Sequence, residues 1–274
     1  MVLNWSVAVA ALTKDQLEEE VDCCKAVMES DTCGEDSFCI HETDKYCVIS
    51  VADGVGGWKR HGIDPSAFSR TLMDQVGSCS PNLRGPEGSP SMQVLKAAFQ
   101  KLIESYVRGD TEPFGSSTIC VSVLDRSSGM LDVANLGDSA ARLVRGDTIV
   151  MLTERQQSRF NAPWQLALHP SGKPKGNPAK ASHQQVKVQP GDILIIATDG
   201  LWDNLYMEDI DRELRSARHS VDGRVDEEWL AMRLADDARR VACNPVCATP
   251  FSEESKEAGL VRPGGKADDI TVIV

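Results

Sequence analysis

An α+β fold, more specifically an α-β-β-α sandwich of two antiparallel sheets flanked by helices, is predicted by three features of the chain. Short apolar, β-branched runs recur along it, several of them are joined by connectors of turn length, and amphipathic helix patterns fall in pairs between the strand blocks. Short connectors exclude helical crossovers, so the strands they join pair antiparallel. With 274 residues and 41% hydrophobic content, the chain can bury a sizeable core. No linker or internal repeat interrupts it, and 1–274 reads as a single domain.

The strand expectations cover 46–52, 117–124, 130–135, 141–144, 148–152, 192–198 and 270–274. The turns Arg126-Ser127-Ser128-Gly129, Gly137-Asp138-Ser139 and Arg145-Gly146-Asp147 separate four of them and predict an antiparallel meander. Asp64 followed by Pro65 is a cap and first-turn signal, and Phe68, Leu72 and Val76 then recur at i+4. A second helix over 91–107 carries Leu95, Ala98, Phe99, Leu102, Ile103 and Tyr106 on one face, and two more cover roughly 207–218 and 226–242.

The segment 154–187 stands apart as a flap-like insertion, rich in Gly, Pro, Ser and Asn and longer than the roughly 12–15 residues usual for an ordinary loop. Between 155 and 187 lie Arg155, Arg159, Lys173, Lys175, Lys180 and Lys187 and no acidic residue, in a chain of net charge −12. Such a patch would steer an anionic substrate. Arg155 and Arg159 are the candidates for binding such a substrate, because a guanidinium grips an oxyanion through paired hydrogen bonds. For 171–181 a solvated loop explains the lysines equally well.

The acidic balance excludes nucleic acid as the main partner. No apolar run approaches the roughly 18 residues that span a bilayer, so no membrane insertion is expected. Nine cysteines without a Cys-x-x-Cys pair fit reduced thiols better than a disulfide or zinc framework; Cys243 and Cys247 form at most half of a metal site. The first 28 residues are acidic and lack Arg, unlike a transit peptide. The visible sequence therefore predicts an intracellular, cytoplasmic monomer.

The chemistry is written at strand ends. Asp53-Gly54 follows the run 47–52, Asp199-Gly200 follows 193–198, Asp138 follows 131–137, Asp268-Asp269 precedes 270–274, and Glu35-Asp36 precedes Ser37-Phe38-Cys39-Ile40. Singly, each Asp-Gly reads as a turn. Jointly, buried strands would carry several carboxylates into one region, where like charges are costly unless a cation is present; an all-oxygen set suits Mg²⁺ or Mn²⁺ rather than zinc. Two such ions roughly 3.5–4 Å apart can acidify a bridging water for in-line attack at phosphorus, without a covalent intermediate. Cys120 and Arg126 have the Cys-x5-Arg spacing of a cysteine-based phosphatase, but the intervening segment reads as a strand, not a phosphate-cradling loop. The glycines near Lys266 are out of register for a P-loop.

Gly34-Glu35-Asp36, Val51-Ala52-Asp53-Gly54-Val55-Gly56-Gly57, Gly137-Asp138-Ser139, Ala197-Thr198-Asp199-Gly200-Leu201-Trp202-Asp203 and Asp268-Asp269-Ile270-Thr271 resemble, in order, the motifs of the type 2C (PPM) protein phosphatases. Phe160-Asn161-Ala162-Pro163-Trp164-Gln165-Leu166 and Gly264-Gly265-Lys266 resemble the branch related to the mitochondrial-matrix phosphatases, so a mitochondrial location is expected if a transit peptide precedes this sequence. The resemblance implies a metal-dependent serine/threonine phosphatase acting on phosphorylated proteins with two Mg²⁺ or Mn²⁺ ions in a cleft. Asp53 would bridge the ions, Gly54 would give its backbone carbonyl, Asp199 and Asp268 would hold one ion, and Glu35 the other, directly or through water. Asp36 and Asp269 would hydrogen-bond metal waters, and Asp138 with Asp199 is similar to the acids that hold a weaker third metal in some members. Two positions depart from the family pattern. Val55 stands where many members have His, which leaves metal-bound water as proton donor unless His61 serves, and Asp31 stands where many have a phosphate-gripping Arg. A pseudophosphatase acting as a binding module would have lost a ligand carboxylate, and none of Glu35, Asp53, Asp199 and Asp268 is lost. A phosphatase of small metabolites would differ only in the shape of the cleft.

Overall fold

The computed structural model describes residues 5–16, 33–80, 83, 88–218 and 224–274. In chain order the strands are β1 (Val9–Leu12), β2 (Asp36–Glu42), β3 (Tyr46–Asp53), β4 (Gly115–Ser117), β5 (Ile119–Asp125), β6 (Met130–Leu136), β7 (Ala140–Arg145), β8 (Thr148–Leu152), β9 (Gln157–Arg159), β10 (Ala162–Pro163), β11 (Leu166–Leu168), β12 (Pro174–Lys175), β13 (Ser182–Lys187), β14 (Asp192–Ala197) and β15 (Ile270–Ile273). The helices are α1 (Pro65–Cys79), α2 (Pro90–Arg108), α3 (Asp199–Trp202), α4 (Met207–Ala217), α5 (Glu227–Ala242) and α6 (Pro250–Glu257).

Two five-stranded antiparallel sheets form the sandwich, ordered β1-β15-β14-β7-β8 and β13-β6-β5-β3-β2. Alternation along each strand sends side chains to opposite faces. Val51, Cys120, Val133, Leu143, Ile196 and Ile273 therefore meet between the sheets, whereas Val48, Val121 and Ala134 pack outward against α1 and α2. On the other side Ala140, Ile195, Ala197 and Val272 pack against Leu214 of α4 and Leu230, Leu234 and Ala238 of α5. The α-β-β-α layering predicted from the sequence is the fold observed.

Asp64 accepts a hydrogen bond from Ser66 N at 3.0 Å and caps α1, with Pro65 in its first turn. The predicted four-strand meander is two hairpins in different sheets: β5-β6 lies in one and β7-β8 in the other. The chain crosses between them at Gly137, whose φ is +110° and where a Cβ would lie 2.6 Å from Thr118 Cγ2 and 2.8 Å from the Trp164 carbonyl oxygen. Gly137-Asp138-Ser139 looks like a hairpin turn in sequence because the same residues serve both purposes.

The insertion is also smaller than its sequence boundary. Residues 182–187 are β13, paired with β6 over its whole length at the edge of a main sheet. β9-β10 form a small hairpin, and β11 is pinned between β4 and β12 with Leu166 and Leu168 fully buried. A cavity of about 810 Å³ opens between the sheets beside Cys47, Leu131 and Asp192. It lies at the end of the strands opposite Asp53 and Asp199. No helix among the described residues is long and apolar enough to cross a membrane.

Candidate active site

Asp53 ends β3, Asp36 begins β2 opposite it in register, Asp138 lies in the β6-β7 crossover, Asp199 begins α3 just past β14, and Asp268 and Asp269 precede β15. All sit at one end of the sandwich. Carboxylate oxygens of Asp53, Asp138 and Asp199 lie within 4.8 Å of one another, the one cluster of metal-ready side chains among the described residues. Asp138 Oδ1 and Asp199 Oδ1 are buried without a hydrogen-bond partner. Orphaned buried carboxylate oxygens are costly, and a hard divalent cation satisfies them.

The glycines after two of these acids are there for close approach, since neither Gly54 nor Gly200 has a positive φ. A Cβ on Gly54 would sit 2.5 Å from the Glu35 carbonyl oxygen and 2.7 Å from that of Pro65; one on Gly200 would sit 2.1 Å from the Asp269 carbonyl oxygen. The turn reading of both Asp-Gly pairs is thus replaced by backbone packing that draws the Asp53 segment onto Glu35 and the Asp199 segment onto Asp269. Gly54 N donates to the Glu35 carbonyl at 3.1 Å, and Asp53 N donates to Thr118 Oγ1 at 3.1 Å.

Asp36 is fully enclosed, and its Oδ2 accepts from Thr198 Oγ1 and Thr271 Oγ1, both at 2.8 Å. It joins Thr198, next to Asp199, to Thr271 of β15, which follows Asp268-Asp269. Asp269 accepts from Glu35 N at 2.8 Å and from Lys14 N at 2.7 Å, fastening three chain segments. Both acids hold the acid-bearing backbone segments in register.

Burial pushes the carboxyls of Asp53, Asp199 and Asp36 well above the ordinary range, with neighbouring carboxylates adding to it. At Asp53 the neighbouring charges of Asp199, Asp36 and Asp268 add to the rise. Asp138 is pushed up to about 6 by burial and by Asp203. Four carboxylates that resist ionising together mark a place built for added positive charge.

Part of that charge comes from lysines that sequence reasoning missed. Lys14 Nζ lies 2.8 Å from Glu35, 3.5 Å from Asp269 and 3.6 Å from Asp268, and Lys59 Nζ lies 2.7 Å from Glu35. Lys266 Nζ pairs with Asp199, with Asp203 at 2.9 Å and with Asp268 at 3.2 Å. Nothing local in the sequence marks Lys14, a lone lysine after a short strand. Lys266 had a signal, the two glycines before it.

Arg155 is committed elsewhere: its guanidinium pairs with buried Asp203, donates to the Asp138 carbonyl at 3.0 Å and reaches Glu254 at 3.5 Å. Arg159 is exposed on β9. His61 ends the 3-10 turn Gly56–His61, exposed, with its ring edge-on to Trp58 at 6.0 Å. Position 31 lies outside the described residues. Cys120 is buried in β5, and burial pushes its thiol up to about 12, which removes the thiolate a cysteine-based mechanism needs.

The family model described as stage II sporulation protein E (SpoIIE) matches residues 43–274. The human protein phosphatase PTC7 homolog is 36% identical over 255 residues, 91% of this chain and 82% of its own length. Among solved structures, the photosystem II phosphatase PBCP superposes with a TM-score of 0.76 at 24% identity, covering 98% of this chain and 96% of that one. The catalytic domain of the serine/threonine protein phosphatase PstP, in complex with two manganese ions, gives 0.57 at 15% identity, covering 98% and 96%. With the ordered acidic motifs gathered at one end of this sandwich, these matches show that the chain belongs to the type 2C protein phosphatases, among the PTC7 homologues.

Proposed function

We propose that the enzyme hydrolyses phosphoserine and phosphothreonine in proteins by direct attack of water, with two Mg²⁺ or Mn²⁺ ions in the acidic cluster. The convergence of the Asp53, Asp138 and Asp199 carboxylates, two of their oxygens buried and unpartnered, carries this reading. Asp53, Asp199 and Asp268 would hold one ion, and Asp53, Glu35 and the Gly54 carbonyl the other. Asp138 with Asp199 would serve a weaker third. The two manganese ions in the PstP structure support the same number here. Divalent ions at such a site lower the pKa of a water and orient it for in-line attack at phosphorus.

The chain's own residues do the positioning. Asp36 and Asp269 keep the ligand-bearing strands in register, and Gly54 and Gly200 let the backbones close on one another. Lys59, 60% exposed on the rim beside Glu35, and Lys14 supply positive charge where a substrate phosphate would approach. This replaces Arg155 as the phosphate contact, since its guanidinium is spent on Asp203; Arg159 stays available as an exposed steering charge. The site retains every ligand carboxylate, which favours hydrolysis over a binding-only role.

A phosphothreonine peptide incubated with Mn²⁺ tests the proposal. Phosphate release that stops on adding EDTA is expected. Release that is indifferent to EDTA would rule out the metal-dependent reading, and tight peptide binding with no release under any metal would establish the binding-module alternative.

A further inference from the structure

Lysine side chains are almost never buried without a partner, because the ammonium is strongly hydrated. The Lys266 side chain is only 13% exposed, and its Nζ sits among the carboxylates of Asp199, Asp203 and Asp268. Nothing about its placement is loose. Asn204, itself buried, clamps the Lys266 peptide from both sides, donating from Nδ2 to the Lys266 carbonyl at 2.9 Å and accepting from Lys266 N on Oδ1 at 2.9 Å. Upstream, Gly264 has φ +84° and a Cβ there would lie 2.5 Å from the Asn244 carbonyl oxygen; on Gly265 it would lie 2.1 Å from that of Val241. Thr249 Oγ1 holds the Gly264 carbonyl at 2.9 Å. The Gly264-Gly265 pair thus presses the chain onto the end of α5 and aims one ammonium into the acid cluster.

Asp199 and Asp268 are two of the residues assigned above to a divalent ion; Lys266 takes Asp199 Oδ2 and leaves Oδ1 unpartnered, so an ion at Oδ1 would meet the repulsion of an ammonium on the same carboxylate. Asp203 is different. It lies outside that ligand set, is buried, and is gripped by Arg155 as well as by Lys266. Of the three carboxylates that pair with Lys266 among the described residues, it is the one on which the ammonium can stay after giving up the other two.

We propose that Lys266 is a tethered cation that competes with the divalent ion held through Asp199 and Asp268, withdrawing onto Asp203 when the ion binds. The ammonium neutralises the cluster between metal-loading events and sets the ion's affinity. It also occupies ground beside Asp199 that a further cation would need. The inference rests on the metal assignment of the proposed function, and the experiment separates the two.

Mn²⁺ binding to the whole chain is measured by calorimetry for wild type and for Lys266→Met, which keeps the aliphatic stem and removes the charge. Removing one unit charge a few ångströms from the ion predicts binding tighter by about tenfold or more at that site. Equal or weaker affinity in the variant would overturn the tethered-cation role while leaving the metal site standing; wild type that binds no Mn²⁺ would overturn both. A crystal structure of the unmutated protein with Mn²⁺ needs no variant to fold. Lys266 Nζ is expected on Asp203 and off Asp199 and Asp268, and an ammonium still paired with Asp199 beside the bound ion would refute the inference.

Discussion

At Gly54 and Gly200 a methyl group has nowhere to go, because the backbone carbonyls of Glu35 and Asp269 stand 2.5 and 2.1 Å from where it would be. Gly200→Ala is therefore expected to force α3 and the Asp269 strand apart, costing about 1–3 kcal/mol in chemical denaturation and weakening Mn²⁺ binding. Stability and metal affinity equal to wild type would show that this contact does not set the site. Arg155 makes a second residue-scale case. The sequence presents it as a phosphate grip, but it lies against Asp203, Glu254 and the Asp138 carbonyl. Removing one partner of a buried ion pair strands the other. Arg155→Ala should accordingly lower stability by roughly 2 kcal/mol, less than a fully uncompensated pair because Lys266 still holds Asp203. If instead stability is unchanged and KM for phosphopeptides rises, Arg155 is a substrate contact after all.

At the scale of elements, Asp132 on β6 joins α2 to the sheet and to β13. Its carboxylate accepts from Ser89 Oγ at 2.6 Å, Ser91 N at 2.9 Å and His183 Nε2 at 2.9 Å. Burial would raise this carboxyl, yet the hydrogen bonds from Ser89, Ser91, His183 and Gln185 outweigh it and hold the group below the ordinary range. A depressed carboxyl stabilises the fold above its unfolded pKa and loses that contribution as pH falls through the folded value. Thermal melts should thus show wild type more stable than Asp132→Asn near neutrality, with the gap closing below about pH 4. A gap that does not depend on pH would assign the effect to packing alone. These elements also show where sequence reading stopped. The central strands and α1, α2, α4 and α5 were legible because burial on one or both faces writes a period into the residues. β13, Ser-His-Gln-Gln-Val-Lys, is an edge strand with alternating exposure and little apolar content, and so passed for loop. The strand-end acids were legible because they interrupt apolar runs, whereas Lys14 meets Asp268 and Asp269 only through tertiary folding. The switch of sheets at Gly137 was hidden because a crossover and a hairpin turn use the same residue types.

For the whole molecule, the two sheets bring together at one end carboxyls that burial and mutual repulsion disfavour as anions. A cation that binds the folded state relieves this and draws the equilibrium toward it. At about a hundredfold excess over Kd, Mn²⁺ should add roughly 2.7 kcal/mol, or a rise in Tm on the order of 5–10 °C for a chain of this size. EDTA should cancel the rise, and a Tm indifferent to Mn²⁺ would mean that the cluster holds no ion in the native state. The central claim is that these carboxylates bind the ions that perform hydrolysis, and Asp53 is the acid assigned to both ions. Turnover of a phosphothreonine peptide by Asp53→Asn at saturating Mn²⁺, with native folding confirmed by circular dichroism, tests that claim most directly. Loss of about a hundredfold or more is predicted, since a neutral amide replaces a charged shared ligand, and a folded variant that turns over at the wild-type rate would contradict it.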